Sequence, residues 1–227
     1  MDKVQVRQYY SYMKKHSPFM QTFERLPDVL PIFPLPNAMM FPGGNLPLNI
    51  FEPRYINMLQ DAMSSDQLIG MIQPRDDTEK SALFNVGCAG RVTRYEENHD
   101  GRIEIVLTGL CRFQVQEELA STRGYRLIVP DWSGYDCDYD VQEPASEIAK
   151  VSFTTALKSY FKENNMEADW SMLDKLDVEE LANSLFSFLP LSAEDKQLLV
   201  ETDTFADRLT AFTAVLESSR NESSTLH

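Results

Sequence analysis

The spacing of hydrophobic positions changes once along the chain. Up to about residue 133, apolar residues form short runs or alternate with polar ones, as Ile103, Ile105 and Leu107 do, which is the period of a half-buried strand. Beyond residue 145, apolar residues recur at helical spacing, in stripes that begin at Ala145, Val178 and Phe205. The pattern therefore predicts a strand-rich part followed by a helical part.

The segment Leu30–Met63 contains many residues that restrict its local structure. Its prolines exclude a long helix or a central strand, because proline fixes φ and lacks an N–H; they are Pro31, Pro34, Pro36, Pro42 and Pro47. We predict short strands near Leu30–Leu35, Met39–Phe41 and Leu46–Phe51. Pro53 suits a first helical position, and the apolar spacing that follows it predicts a helix over Pro53–Met63.

Further strands are predicted downstream of this helix. Leu68–Gln73 is a short apolar run, Arg91–Glu97 and the alternating segment after Arg102 flank a hairpin turn at Asp100-Gly101, and Tyr125–Asp131 follows. Gly109 interrupts the alternation and predicts a break. Six or more short strands with few helices between them favour a β-barrel, because closure removes exposed edges.

Local signals mark the helical part. Asp177 and Glu180 have the spacing of a capping box, and Ser192 is placed to cap the next helix. We predict an α+β chain with these divisions: an N-terminal extension over 1–26, a β-barrel with an embedded helix over 27–133, an acidic linker over 134–144, a C-terminal helical bundle over 145–218 and a frayed tail over 219–227.

Composition places the chain among ordinary globular proteins. The 227 residues are 43% hydrophobic, and no apolar run reaches the length of a membrane span. The three cysteines, Cys88, Cys111 and Cys137, are too few and too scattered for a disulfide framework, which favours a reducing, cytoplasmic location. The net charge is −14, and residues 131–227 carry twenty acidic and seven basic groups. This balance weighs against nucleic acid, because phosphate binding rests on lysine and arginine.

Motifs for catalysis or cofactors are missing from the sequence. No GxGxxG or GxxxxGK[ST] motif is present, and His16, His99 and His227 lie where solvated side chains are expected. Asp136, Asp138 and Asp140 have the spacing of a calcium loop, but Val141 replaces the required glycine, so we interpret them as a solvated linker. We therefore predict no enzyme activity, no cofactor and no metal site.

Several stretches in a fixed order resemble one known family. LPIFPL and FPGGNLPLNIFEPRY, then GCAGRVTRYEE, GRIEIVLTGLCRFQV and SLFSFLPLSAEDKQLLVE, are similar to the N-terminal substrate-binding domain of the Lon protease in a stand-alone form, from about Asp28 to Glu217. The resemblance implies a PUA-like barrel and a non-catalytic module that binds protein segments. It implies a role as an adaptor, or a chaperone-like role in protein quality control, and partners that are unfolded or apolar segments, a protease or a chaperone.

The alternative is an RNA-binding PUA-like module, against which the acidic balance weighs. Three groups of residues are candidates for contacting a peptide. Met39, Met40 and Phe41 precede the Gly-Gly turn, where we interpret them as core packing, with an adaptable peptide-binding edge as the alternative. Glu52 and Arg54 flank Pro53, where we interpret Glu52 as capping the helix, with contact to a peptide terminus as the alternative. Trp132 and Tyr135 stand at the boundary with the helices, where a cleft between two domains would form a site.

Overall fold

The computed structural model describes residues 21–76, 78, 81–140 and 143–224, with side chains described up to residue 218. The predicted extension over 1–26 therefore lies mostly outside the described residues. The chain divides into two compact units, residues 1–141 and 142–227. Each unit has its own buried hydrophobic residues.

The first unit is built on six strands and one helix. The strands are β1 (Leu30–Pro34), β2 (Asn45–Ile50), β3 (Leu68–Ile72), β4 (Val86–Glu97), β5 (Ile103–Leu119) and β6 (Arg126–Asp131). The helix α1 (Pro53–Met63) lies between β2 and β3, with the bounds that the sequence predicted. Short 3₁₀ turns occupy Phe23–Arg25 and Asp136–Tyr139.

The strands form one mixed sheet in the order β2-β5-β4-β3-β1-β6. Strand β1 pairs in parallel with β3, and the other pairings are antiparallel. Strand β6 pairs with β1 and also with the last third of β5, where Val115 opposes Pro130 and Leu119 opposes Leu127. The strands β1, β3, β4, β5 and β6 therefore form a closed series of pairings, and β2 joins at the first third of β5.

Two predictions about the strands were wrong, and both concern the contact between the Phe41–Gly44 turn and β5. Met39–Phe41 is not a strand, and Gly109 does not break β5. The Phe41–Gly44 turn lies directly on β5: Gly43 N–H donates to the Gly109 carbonyl and Gly109 N–H to the Gly44 carbonyl, each at 2.8 Å. A Cβ atom on Gly109 would lie 2.0 Å from the Phe41 carbonyl oxygen. The glycine therefore makes room for another backbone instead of ending the strand.

The described residues of the second unit form helices and their connections, with no strand among them. Its helices are α2 (Glu147–Glu163), α3 (Trp170–Leu173), α4 (Val178–Phe186), α5 (Ala193–Glu201) and α6 (Phe205–Ser224). The capping box of Asp177 and Glu180 is confirmed, and the Ser192 hydroxyl accepts from the Asp195 N–H. Three buried phenylalanines from α2, α4 and α6 pack together, with ring centroids 5.2 Å apart for Phe153 and Phe212.

The predicted frayed tail over 219–227 needs a correction, because α6 continues to Ser224. The last three residues lie outside the described part. Among the described residues, no helix is long and apolar enough to cross a membrane.

Candidate functional site

The methionine and phenylalanine candidates are buried. Met39, Met40 and Phe41 have 0% exposed surface. The Met40 side chain fills the space above Gly90, where a Cβ atom would lie 2.2 Å from its Cε. A peptide cannot reach these side chains in this conformation, so the proposed Met39–Phe41 binding edge is corrected to core packing.

Trp132 and Tyr135 have structural contacts within the first unit. The indole Nε1 of Trp132 donates to the Pro27 carbonyl at 3.0 Å, and its ring meets Phe113 edge to face. Tyr135 is buried, and its ring lies 5.0 Å below the guanidinium of Arg112. Both rings help to hold the segment after β6 against the sheet. The predicted cleft with the helices stays a prediction.

Glu52 and Arg54 pair with each other at the start of α1. Glu52 stands at the N-cap position, as the capping interpretation expected, but its side chain makes no capping hydrogen bond. Its Oε2 instead accepts from Nε and Nη2 of Arg54, each at 2.9 Å. The Arg54 guanidinium also lies 4.6 Å from the centre of the Tyr55 ring. These two residues are the sequence candidates that the structure places at a concave surface.

This surface is an open groove of about 650 Å³ in the first unit, which we call the α1 groove. One wall is the start of α1, the second is the end of β1 with the residues after it, and the third is the connection from β5 to β6. Pro74, Asp76 and Thr78, which follow β3, also line the groove. The lining residues are Pro34, Leu35, Pro36, Glu52, Arg54, Tyr55, Pro74, Asp76, Thr78, Glu118, Leu119, Ala120, Ser121, Gly124, Tyr125 and Arg126. Its volume suits several side chains of a bound segment.

The β5–β6 connection is fastened to α1 by polar contacts. Asn57 Nδ2 donates to the Arg123 carbonyl at 3.2 Å, and the Arg123 guanidinium pairs with Asp61 at 2.9 Å. Gly124 has φ +85°, and a Cβ there would lie 3.3 Å from Cβ of Arg54. The close approach and the positive φ both favour glycine at this position. The wall of the groove is thus fixed in place by the body of α1.

Tyr125, which also lines the groove, contacts the same Asp61 side chain as Arg123 does. Its hydroxyl donates to Asp61 at 2.6 Å. Burial, and then this hydrogen bond, raise the pKa of Tyr125 from 10.0 to about 12. The hydroxyl therefore stays protonated at neutral pH and acts as a fixed donor to Asp61 rather than as a proton acceptor.

Charged groups stand at the rim of the groove. The Arg126 guanidinium pairs with Glu118 at 2.5 Å and donates to the Ser81 carbonyl at 2.9 Å. Hydrogen bonds from the Thr78 side chain and backbone lower the pKa of Asp76, which keeps this carboxylate ionised. The lining of the groove thus combines apolar residues with ionised groups.

The sequence interpretation missed most of this groove. It identified Glu52 and Arg54, but not Leu35, Leu119 or Arg126. The three walls are separated by many residues in the chain and meet only because β6 pairs with both β1 and β5. The positive-φ Gly124 between Arg123 and Tyr125 was the one local signal of a tight, fixed connection there.

A second polar cluster of the first unit lies inside the protein. Arg112 and Asp138 have side chains that are 1% and 3% exposed. The carboxylate of Asp138 accepts from the Arg112 backbone N–H at 2.8 Å and from Nη2 at 2.8 Å. The predicted solvated linker is thus corrected at Asp138, which is buried against β5. Burial alone would lower the pKa of Arg112, but the hydrogen bonds and charge of Asp138 raise it overall.

Within the described part of the chain, no three His, Cys, Asp or Glu side chains lie close enough together to hold a metal ion. Cys88, Cys111 and Cys137 are free thiols. Burial raises the pKa of Cys111 far above its ordinary value, so this thiol is not a reactive nucleophile.

Comparison with known proteins gives a consistent result. Residues 29–218 match the family model of the ATP-dependent protease La (LON) substrate-binding domain. The Lon protease of Cytophaga hutchinsonii is 26% identical over 201 residues, which are 82% of this chain and 24% of that protein. Lon protease 2 of Myxococcus xanthus is 36% identical over 98 residues, 41% of this chain and 12% of that protein. The chain thus spans a quarter or less of these relatives.

Solved structures share the fold. A Lon N-terminal domain protein from Xanthomonas campestris matches with a TM-score of 0.59 and 22% identity, over 82% of this chain and 97% of that one. The N-terminal domain of Lon protease from the Mycobacterium avium complex also has a TM-score of 0.59, at 15% identity, over 83% of this chain and 98% of that one. At these identities the likeness concerns the fold alone.

Proposed function

The chain belongs to the family of Lon substrate-binding domains, and we propose that it is a non-catalytic module that binds protein segments through the α1 groove. The observation that carries the proposal is the groove itself: a concave surface with apolar residues inside and ionised groups at its rim, in a family defined by substrate binding. We propose an adaptor or chaperone-like role in protein quality control. The partners are unfolded or apolar segments, or a protease or chaperone that works with the chain.

Two structural features support the finer parts of this proposal. The closed series of strand pairings supports the predicted PUA-like barrel, which would hold the three walls of the groove in a fixed relation. The free cysteines support a reducing compartment, the cytoplasm, as the place of action.

A binding site of this size should hold a short segment weakly. Burying a few apolar side chains in an open groove is offset by the ordering of the peptide, so we expect dissociation constants in the micromolar range, about −8 kcal/mol or weaker. The apolar part of this affinity should persist at high salt, because burial of apolar surface is not screened.

The test is a peptide array of unfolded-protein segments, followed by fluorescence titration of the best binders. Leu35→Ser removes an apolar lining residue, and Ala120→Trp places a large ring on an exposed lining position. Leu198→Ser is the matched control, because Leu198 is 54% exposed on α5, outside the groove. Both groove variants should weaken binding about ten-fold or more, which corresponds to about 1.4 kcal/mol, and the control should not.

A short single-stranded RNA serves as the competing ligand. Strong RNA binding that falls steeply with salt would favour the nucleic-acid alternative. If no peptide binds below about millimolar concentration, or if Leu35→Ser and Ala120→Trp bind as the wild type does while remaining folded, the proposed function is wrong for this groove.

A further inference from the structure

The rim of the α1 groove has more negative than positive groups. Its lining includes three carboxylates, those of Glu52, Asp76 and Glu118, and two guanidinium groups, those of Arg54 and Arg126. The lining therefore has a net charge of −1 at neutral pH. The whole chain also has a negative net charge, −14. Long-range electrostatic repulsion therefore also disfavours anionic ligands.

The carboxylates are also the more accessible partners of the ion pairs. The Glu52 side chain is 43% exposed and that of Arg54 is 31% exposed. The difference is larger in the second pair, where Glu118 is 44% exposed and Arg126 only 19%. The Arg126 guanidinium is turned toward Glu118 and the Ser81 carbonyl. A ligand approaching the rim therefore meets carboxylate oxygens before it meets arginine.

The lining of the α1 groove contains apolar residues as well as the two ion pairs. Leu35 and Pro36 follow β1 and Leu119 ends β5, and all three line the groove with partly or fully exposed side chains. Glu118 directly precedes Leu119 in the chain, and Glu52 lines the same groove. Chain neighbours of an apolar side chain seated against Leu119 would then lie near a carboxylate.

We infer that the α1 groove selects extended segments in which an apolar residue is flanked by lysine or arginine, and that it discriminates against acidic segments. The inference rests on the proposed function and adds the chemistry of the substrate. The apolar residue supplies contact area, and the flanking cation pairs with the exposed oxygens of Glu52 or Glu118. Acidic flanking residues meet like charges, which oppose binding.

The experiment uses three short labelled peptides of one sequence, in which a central Leu-Phe is flanked by lysine, by glutamine or by glutamate. Wild-type protein should bind the lysine peptide roughly five-fold more tightly than the glutamate peptide at low salt, since exposed charge pairs are individually weak. At about 0.5 M salt the three affinities should converge while binding itself persists.

The sharpest variant reverses the charge of the lining. Glu52→Gln with Glu118→Gln changes its net charge from −1 to +1, because Arg54 and Arg126 remain, and the glutamate peptide should then bind best. The matched control is Glu96→Gln with Glu147→Gln. These two glutamates pair with Arg94 and Lys150 outside the groove, and they change the total charge by the same amount. The control should keep the preference for lysine.

The outcomes separate the two proposals. If all three peptides bind wild-type protein equally, and Ala120→Trp abolishes binding, the proposed function stands and the charge preference is wrong. If the Glu96→Gln, Glu147→Gln control reverses the preference as well, the preference belongs to the whole protein, and the inference is overturned. If none of the peptides binds at all, the proposed function itself fails.

Discussion

Asp138→Asn would replace the carboxylate of the buried ion pair by a neutral amide of the same shape. Asp138 accepts four hydrogen bonds from Arg112, one from the backbone N–H and three from the side chain, over 2.8–3.1 Å. The asparagine amide group would turn at least one donor toward the guanidinium. Arg112, 1% exposed, would keep its charge and lose the carboxylate that pairs with it in the wild type.

The expected cost is large because the charge cannot reach water. Removing one partner of a buried pair typically costs about 3–5 kcal/mol, against about 5–15 kcal/mol for the total stability of a domain. An exposed pair offers the contrast. Glu96, paired with Arg94 in the same unit, is 53% exposed, and Glu96→Gln should cost no more than about 0.5 kcal/mol.

The assay is urea unfolding followed by tryptophan fluorescence. The chain has two tryptophans, Trp132 in the first unit and Trp170 in the second. Trp170→Phe as the background leaves Trp132, which contacts Phe113 close to the pair, as the sole reporter of the first unit. The midpoint for Asp138→Asn should fall far below that of the background, whereas Glu96→Gln should leave it nearly unchanged.

A double replacement refines the test. Arg112→Met with Asp138→Leu removes both charges, and it should cost less than Asp138→Asn alone because no buried charge is left unpaired. A loss below about 1 kcal/mol for Asp138→Asn would refute the reasoning, since that is the value of an exposed pair. A double variant less stable than the single one would also contradict it.

Three further predictions concern the first unit. Phe41→Ala should lower stability by about 3–5 kcal/mol in urea unfolding and leave the peptide affinity of the folded protein unchanged, because Phe41 is buried; weaker binding with intact stability would contradict the core assignment. Gly109→Ala should cost about 3 kcal/mol by the same assay, because its Cβ would meet the Phe41 carbonyl oxygen at 2.0 Å; a neutral effect would refute that packing. Tyr125 has a pKa raised from 10.0 to about 12, so its contribution is complete below pH 10 and is lost as the pH rises toward 12. Melting temperatures should therefore fall less steeply over this window in Tyr125→Phe than in the wild type, and parallel curves would contradict the assignment.

Structural features that depend on residues close together in the chain could be predicted from the sequence. Helix α1 was placed at Pro53–Met63 because proline at the start and helical spacing are both local signals. The capping box of Asp177 and Glu180 and the hairpin turn at Gly101, whose φ is +83°, have the same origin. In each case the residues that decide the structure lie within a few positions of one another.

Features that depend on distant partners could not be predicted in this way. Asp138 was interpreted as solvated because its partner, Arg112, lies 26 positions away and is itself in an alternating strand pattern. Gly109 was interpreted as a break because the backbone that it accommodates, at Phe41, belongs to a much earlier segment. The same holds for the α1 groove, whose lining comes from four separate segments, three of them brought together by strand pairing.

The most direct test of the central claim is to locate a bound segment. The lysine-flanked peptide, with its central phenylalanine replaced by a photoreactive benzoyl analogue, would be cross-linked to the full chain, and the attachment sites would be read by mass spectrometry. The proposal predicts attachment to the walls of the α1 groove, at Leu35–Pro36, Arg54–Tyr55 or Leu119–Ala120, and loss of these products in Ala120→Trp. Attachment confined to residues 143–218, or unchanged products in Ala120→Trp, would contradict it.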